Sequence, residues 1–396
     1  MRLTLYLFLL LLSPSILAAG TLREAIERAW ARQPAFQAQP ARTEEFAAKH
    51  NATQAWFPEP PSLSVSNRDD RFHRDNGARE FDVGIALPLW LPGEKGRQAA
   101  IVNAERDLYD SSLTVAKLKI AGDVRDAYWQ ARLAENELAL ARRKVQEAAV
   151  LAADVERRVK AGDLARVDLN QAQAAERLAR ATLTEAEIKT FRATQGFNVL
   201  TGLGTLPDGD ETLAVQPPPL DDHPLLASLQ RAVGTAQARL NQASQSLRNN
   251  PELELGLRRE RSLFEEQYSH SFEARFRLPF ATDARNKPRI AAANAEMIEA
   301  QATSALERTK LAAEVEAARR EREQARAVME LTEARYTLAT DTQRLLTRAF
   351  ALGELDLVTR LRAENERFEA ELQFTRAKLE AARALSRLNQ ALGVLP

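Results

Sequence analysis

The sequence predicts a mainly α-helical protein that also carries four strands of a membrane β-barrel, folded as an internal duplication and able to close only by oligomerising. Three observations lead there. Two stretches of about 110 residues contain no proline, so nothing in them forbids unbroken helix. The two halves align at one constant offset of 191 positions. Ahead of each proline-free stretch, apolar residues recur at every second position.

The chain opens with Met1-Arg2, a mostly apolar run over 3–12, and the small residues Ala18-Ala19-Gly20. This is the pattern of a cleavable secretory signal, with the cut expected after Ala18 or Ala19. The run falls short of the roughly twenty residues that a membrane-spanning helix requires. There is no cysteine among the 396 residues, so neither a disulfide framework nor a cysteine-linked lipid anchor is expected. If a membrane holds the mature chain, a barrel must do so. Lys plus Arg equals Asp plus Glu at 55 each, which gives no sign of a nucleic-acid partner. Aromatic residues make up only 6% of a chain rich in Ala, Leu, Glu, Arg and Gln, the composition of long, wet helices.

The duplication runs over about 140 residues, which makes chance an unsatisfactory explanation. Pro60 matches Pro251, Phe81 matches Phe272, and Pro88 matches Pro279. Asn103-Ala104-Glu105 matches Asn294-Ala295-Glu296, Gly162 matches Gly353, and Gly202 matches Gly393. A first helical piece is expected near 34–56, starting at Pro34 or only after Pro40, with its counterpart near 224–248. The strands follow. Phe81, Val83, Ile85, Leu87 and Leu89 alternate with Asp82, Gly84, Ala86 and Pro88; Phe272, Ala274, Phe276, Leu278 and Phe280 alternate with Glu273, Arg275, Arg277 and Pro279. Upstream, Ser62, Ser64 and Ser66 flank Leu63 and Val65, while Glu252, Glu254 and Gly256 interleave with Leu253, Leu255 and Leu257. Runs of about seven to ten residues with one greasy and one polar face suit tilted barrel strands, and Trp90, Tyr268 and Phe280 stand where an aromatic girdle belongs. Soluble hairpins on a core would alternate too; the signal and the helix lengths favour the barrel.

Each long helix then turns at a glycine, Gly162 or Gly353, and a shorter helix returns to Gly202 or Gly393. The long arms, about 65 residues, would reach roughly 95–100 Å. Spacings of seven and four, as in Ile101-Leu108-Val115 and Leu361-Phe368-Leu372-Leu379, suit coiled-coil seams. Helices alone would fit a non-pore coiled-coil adaptor or scaffold equally well. Four strands cannot close a barrel, since the smallest membrane barrels have about eight. An open sheet edge in lipid is prohibitive, so several protomers must share one wall. The expected organisation is a signal peptide over 1–19, a first repeat over 20–206 with strands near 61–67 and 81–90 and a hairpin near 94–202, a linker over 207–223, and a second repeat over 224–396 with strands near 251–258 and 271–280 and a hairpin near 287–393.

This layout resembles the TolC family of outer-membrane efflux proteins over the whole mature chain. The resemblance rests on the duplication, on Leu87-Pro88-Leu89 and Leu278-Pro279-Phe280, on the turns Lys160-Ala161-Gly162-Asp163-Leu164 and Ala351-Leu352-Gly353-Glu354-Leu355, and on the helix ends before Gly202 and Gly393. It implies a TolC-like homotrimer with a twelve-stranded barrel in outer-membrane lipid and a twelve-helix periplasmic tunnel. It further implies a periplasmic membrane-fusion adaptor, docking on tips that carry Gly162 and Gly353, and an inner-membrane RND pump. The segment from Ile85 to Gly96 looks closest to the heavy-metal (cobalt-zinc-cadmium) RND branch, although Trp90 and Pro92 depart from its commonest form. Export of divalent heavy-metal cations is therefore expected, with drugs or other small molecules as the alternative cargo.

Nothing in the sequence reads as an enzyme active site or a cofactor site. His50, His73, His223 and His270 lack ligand spacing, and a tight transition-metal site is not expected without cysteine. The candidate functional residues are of two kinds. At the tips stand Gly162, Asp163, Leu164, Arg166, Asp168, Gly353, Glu354, Leu355, Asp356 and Arg360. The acids there either form charged rings around an entrance or cap the returning helices, with capping favoured for Asp163 and Glu354, and Arg166 and Arg360 are candidate partners that hold the tips closed. On the lipid-facing side stand Phe81, Val83, Ile85, Leu87, Leu89, Phe272, Phe276, Leu278 and Phe280.

Overall fold

The computed structural model describes residues 21–73, 75–208, 211–213 and 218–396. The expected signal peptide over 1–19 and part of the linker over 207–223 lie outside the described residues. In chain order the elements are α1 (Leu22–Ala31), α2 (Pro34–Thr53), β1 (Ser62–Asp69), β2 (Arg79–Pro88), α3 (Glu94–Ala161), α4 (Arg166–Thr201), α5 (Pro224–Gln245), β3 (Glu252–Arg261), β4 (Ser269–Arg277), α6 (Asp283–Ala351) and α7 (Leu357–Ala391). From α2 onward the second half repeats the first: one helix, two strands, a long helix, a shorter return. The long helices, α3 and α6, have 68 and 69 residues.

Local chemistry explains where the structure departs from the expected bounds. The opening helix α1 was not foreseen; Thr21 caps it by accepting the Glu24 N–H at 3.3 Å. Helix α2 starts at Pro34 and runs through Pro40, and α6 starts at Asp283 with Pro288 inside it. Both prolines sit in the second turn of their helices, where each removes one i→i−4 N–H donor while the helix continues beyond it. The first return helix stops at Gly202, whose φ of 75° suits a residue without Cβ, and its N–H donates to Asn198 O at 2.7 Å.

The chain divides into two compact units. One holds residues 1–33, 117–217 and 314–396. In its core Leu22, Ala25, Ile26 and Ala29 of α1 pack with Val124, Tyr128 and Trp129 of α3 and Phe197 of α4. Arg125, next to Val124 of that cluster, is buried against Glu211 of the linker, with side chains only 4% and 5% exposed. Its guanidinium donates to Glu211 through Nη2 at 2.7 Å, to the Val394 carbonyl at 2.9 Å, and to Gln390. The Ser386 hydroxyl donates to the same carboxylate. A buried charge needs such a full set of partners.

The other unit holds residues 34–116 and 218–313, including the whole sheet. The Phe46 ring of α2 lies 5.6 Å from Tyr109 of α3. Arg239 of α5 reaches Glu105 of α3 at 2.8 Å, and Gln242 donates to Gln98 at 2.6 Å. His223, 5% exposed, caps α5: its Nδ1 accepts the Leu225 N–H at 3.1 Å.

Candidate functional site

The four strands form one antiparallel sheet in chain order, leaving β1 and β4 as free edges. Directly opposed residues share a face. The register therefore sets Val65, Val83, Leu257 and Phe272 in one row, Leu63, Ile85, Leu255 and Ala274 in the next, and Leu87, Leu253 and Phe276 in a third. This apolar face is not covered: Leu63 is 69% exposed, Leu257 67% and Phe272 68%.

The opposite face is polar and cross-linked. Ser66 Oγ donates to Asp82 at 2.9 Å, and Arg258 Nε donates to the same carboxylate at 2.8 Å. Arg258 also reaches Glu273 at 3.2 Å, while Arg275 joins Glu254 at 3.0 Å and Glu273 at 2.7 Å. Arg68 pairs with Glu80 at 3.3 Å. A soluble sheet buries its greasy side and wets its polar side. Here both sides are open and the polar one satisfies itself, as the wall of a water-filled barrel would.

Phe81, Val83, Ile85 and Leu87 of β2 and Phe272 and Phe276 of β4 share the apolar face. Leu89, Leu278 and Phe280 do not belong to the strands, contrary to the expected bounds. Pro88 and Pro279 carry no N–H to extend a ladder; β2 ends at Pro88 and β4 at Arg277. One further bond, Leu89 N–H to Pro251 O at 2.7 Å, ties the sheet to its exit. Trp90 also lies beyond β2 and donates through Nε1 to Ala55 O at 3.1 Å. Leu63, Val65, Leu253, Leu255 and Leu257 complete the apolar face; their alternation was visible, but only pairing reveals which face they join.

The two hairpin turns are built alike. Gly162 and Gly353 have φ of 87° and 79°, where a Cβ would be strained. Gly162 N–H donates to Val159 O and Asp163 N–H to Arg158 O; Gly353 N–H donates to Phe350 O and Glu354 N–H to Ala349 O. This paired pattern satisfies the last carbonyls of a helix. Leu164 and Leu355 turn inward onto a cluster of Leu151, Val155, Phe350 and Leu357.

Capping falls on different acids from those expected. Asp356 caps α7, accepting the Thr359 N–H at 3.1 Å, and its bonding to Thr359 holds its carboxyl below the usual range. Asp168, three residues into its helix, accepts the Ala165 N–H at 3.1 Å. Asp163 and Glu354 instead give their backbone N–H groups to the preceding turn, and their side chains are exposed. Arg360 does not pair with the tip acids either. It bonds Glu364 at 3.0 Å, one turn along, and lies over the Phe350 ring at 4.9 Å. Burial pushes the Glu364 carboxyl above its usual range despite Arg360. Among the described residues Arg166 forms no ion pair. Further along α3 and α7, Arg367 bonds Glu147 at 2.7 Å and Glu371 at 3.0 Å, and Glu371 is only 4% exposed. That buried row escaped sequence reasoning, although Arg367 and Glu371 at helical spacing inside the Leu361-Phe368-Leu372 seam were its signal.

A long apolar stripe adds to the sheet. Leu331, Leu338 and Leu345 recur every seventh residue of α6, Leu352 continues the spacing just past its end, and all four are exposed, Leu338 at 70%. Among the described residues no group of three or more His, Cys, Asp or Glu is placed to hold a metal ion, and no helix is long and apolar enough to cross a membrane.

A long helical hairpin and two strands, repeated once so that the four strands form one sheet, define the fold of TolC-like outer-membrane channels. Three solved structures share it. The outer membrane protein VceC from Vibrio cholerae superposes with a TM-score of 0.76 at 15% identity, covering 94% of this chain and 96% of that one. The outer membrane channel CmeC of Campylobacter jejuni gives 0.74 at 14% identity, covering 94% and 85%. The open state of the MtrE outer membrane channel of Neisseria gonorrhoeae gives 0.72 at 19%, covering 94% and 89%. Within the chain, residues 25–203 match the family model described as outer membrane efflux protein. A comparison with curated protein sequences returns no match.

Proposed function

We propose that this chain is the outer-membrane channel protomer of a tripartite efflux system, a passive exit duct and not an enzyme. One observation carries the reading: a four-stranded sheet with an uncovered apolar face, a self-satisfied polar face and two free edges. Such a sheet is stable in lipid only when its edges pair with other copies. A homotrimer would supply twelve strands, and the exposed leucine stripe on α6 offers neighbouring copies a coiled-coil seam. On this reading the helices stand in the periplasm and the Gly162 and Gly353 turns meet a periplasmic adaptor, beyond which lies an inner-membrane RND pump. With capping assigned to Asp168 and Asp356, the exposed Asp163 and Glu354 are left as the residues of a charged ring at the entrance.

For cargo we propose divalent heavy-metal cations, supported by the segment from Ile85 to Gly96 and by the acids at the tips. Drugs or other small molecules through the same duct are the second reading. A non-pore coiled-coil scaffold is disfavoured because it leaves the apolar sheet face wet. Fractionation of the mature protein followed by sizing in detergent tests the proposal. Recovery from the outer membrane as a trimer supports it; recovery as a soluble periplasmic monomer or dimer overturns it.

A further inference from the structure

The apolar face of the sheet changes character toward its hairpin end. Along β3 the same face carries Leu253, Leu255 and Leu257, then Arg259 and Arg261. Arg261 is directly opposite Arg79, and Arg259 lies between Phe81 and His270. Like charges placed directly across a sheet destabilise it unless something neutralises them. On the polar face Arg68, Arg258 and Arg275 each reach a carboxylate within 3.3 Å. Asp69 stands opposite Arg79 in the register, yet among the described residues Arg79, Arg259 and Arg261 form no ion pair with a carboxylate within 4.0 Å. The Tyr268 ring instead lies 4.2 Å from the Arg259 guanidinium and 4.9 Å from that of Arg261, and Arg261 Nε donates to Gly77 O at 3.1 Å. Stacking on a ring fixes a guanidinium while leaving its outer donors free.

We propose that Arg79, Arg259 and Arg261 bind the phosphate groups of an anionic lipid in the outer leaflet. The proposal rests on the membrane-channel reading above, under which the loops over 70–78 and 262–268 face outside and the helix-bearing end faces the periplasm. The cations then stand at the top of the greasy band, on the lipid side and at headgroup depth. Tyr268 occupies the interfacial position that aromatic rings favour. Guanidinium groups match phosphate oxygens in geometry as well as charge. Two of the three cations are on β3 and one on β2, the inner strands of the sheet, so pairing of β1 and β4 with neighbouring copies leaves them uncovered.

The test uses the full-length mature protein in phosphatidylcholine nanodiscs and titrates lipid A bearing both phosphates. Phosphate-free lipid A and inorganic phosphate are the comparisons. The triple variant R79Q/R259Q/R261Q is expected to hold the phosphorylated lipid on the order of a hundredfold more weakly, and R259Q alone about fivefold more weakly. Among the described residues the Arg259 side chain forms no hydrogen bond or ion pair, so R259Q guards against a folding artefact. Equal affinity of wild type and both variants overturns the proposal, as does equal binding of inorganic phosphate or phosphate-free lipid. Flotation with phosphatidylcholine vesicles separates the two levels. Failure of the wild type to float overturns the channel reading and this site together; flotation with variant-independent lipid binding overturns this site alone.

Discussion

Two buried residues, Glu211 and His223, make the sharpest demands at the scale of single side chains. Glu211 neutralises Arg125 inside the core near α1, and both side chains are almost fully buried. Glu211→Ala strands a buried guanidinium, at an expected cost of about 3–5 kcal/mol. Glu211→Gln keeps two hydrogen-bonding atoms and is expected to lose less; thermal melts of the two variants check the order. His223 has its pKa lowered from the ordinary 6.5 by burial, so the fold favours its neutral, cap-forming state. For a group depressed in this way, the stabilisation is complete above the unfolded value of 6.5 and is lost as pH falls below it. The wild type should therefore lose stability between neutral and mildly acidic pH, a loss that His223→Asn should lack while retaining the cap. Parallel melts at both pH values decide this; identical pH dependence in the two proteins contradicts it. Glu211 was not legible as a partner because Arg125 lies far from it along the chain, whereas the His223 cap is local but made by a residue type that seldom caps helices.

At the scale of elements, the alternation that announced the strands also sets the consequences of breaking it. Leu255→Arg puts a charge in the middle of the apolar face and is expected to cost about 2–4 kcal/mol in a bilayer, blocking membrane assembly. Ser64→Thr, on the polar face, should leave assembly unchanged; heat-resistant oligomer on electrophoresis is the readout, and equal assembly of both variants contradicts the face assignment. The helices and strands were readable because the period of two, the proline gaps and the turn glycines are local signals. Strand ends were less so: Leu89, Leu278 and Phe280 continue the alternation past the strand ends at Pro88 and Arg277. Capping was misassigned for a related reason. Asp163 and Glu354 directly follow the glycines, yet the two-residue glycine turn consumes them, and the helix starts only at Arg166 and Leu357. The Arg360 partner was misjudged because Glu364, one helical turn away, competes better than an exposed acid across a turn.

At the scale of the molecule, neither the sheet nor the leucine stripe of α6 is finished within one chain. Both leave apolar surface uncovered, and on the proposed channel reading further copies of the same sequence complete both. The duplication could be read from the sequence; the number of copies could not, since closure depends on geometry between chains. The most direct test uses the absence of native cysteine. One cysteine is placed along β1 (62–69) and one along β4 (269–277), scanned in register, and the protein is oxidised in its membrane. A closed trimeric barrel predicts a covalent ladder of dimer and trimer that stops there, because β1 of each chain meets β4 of the next. No intermolecular disulfide at any register, or a ladder running beyond three, would contradict it.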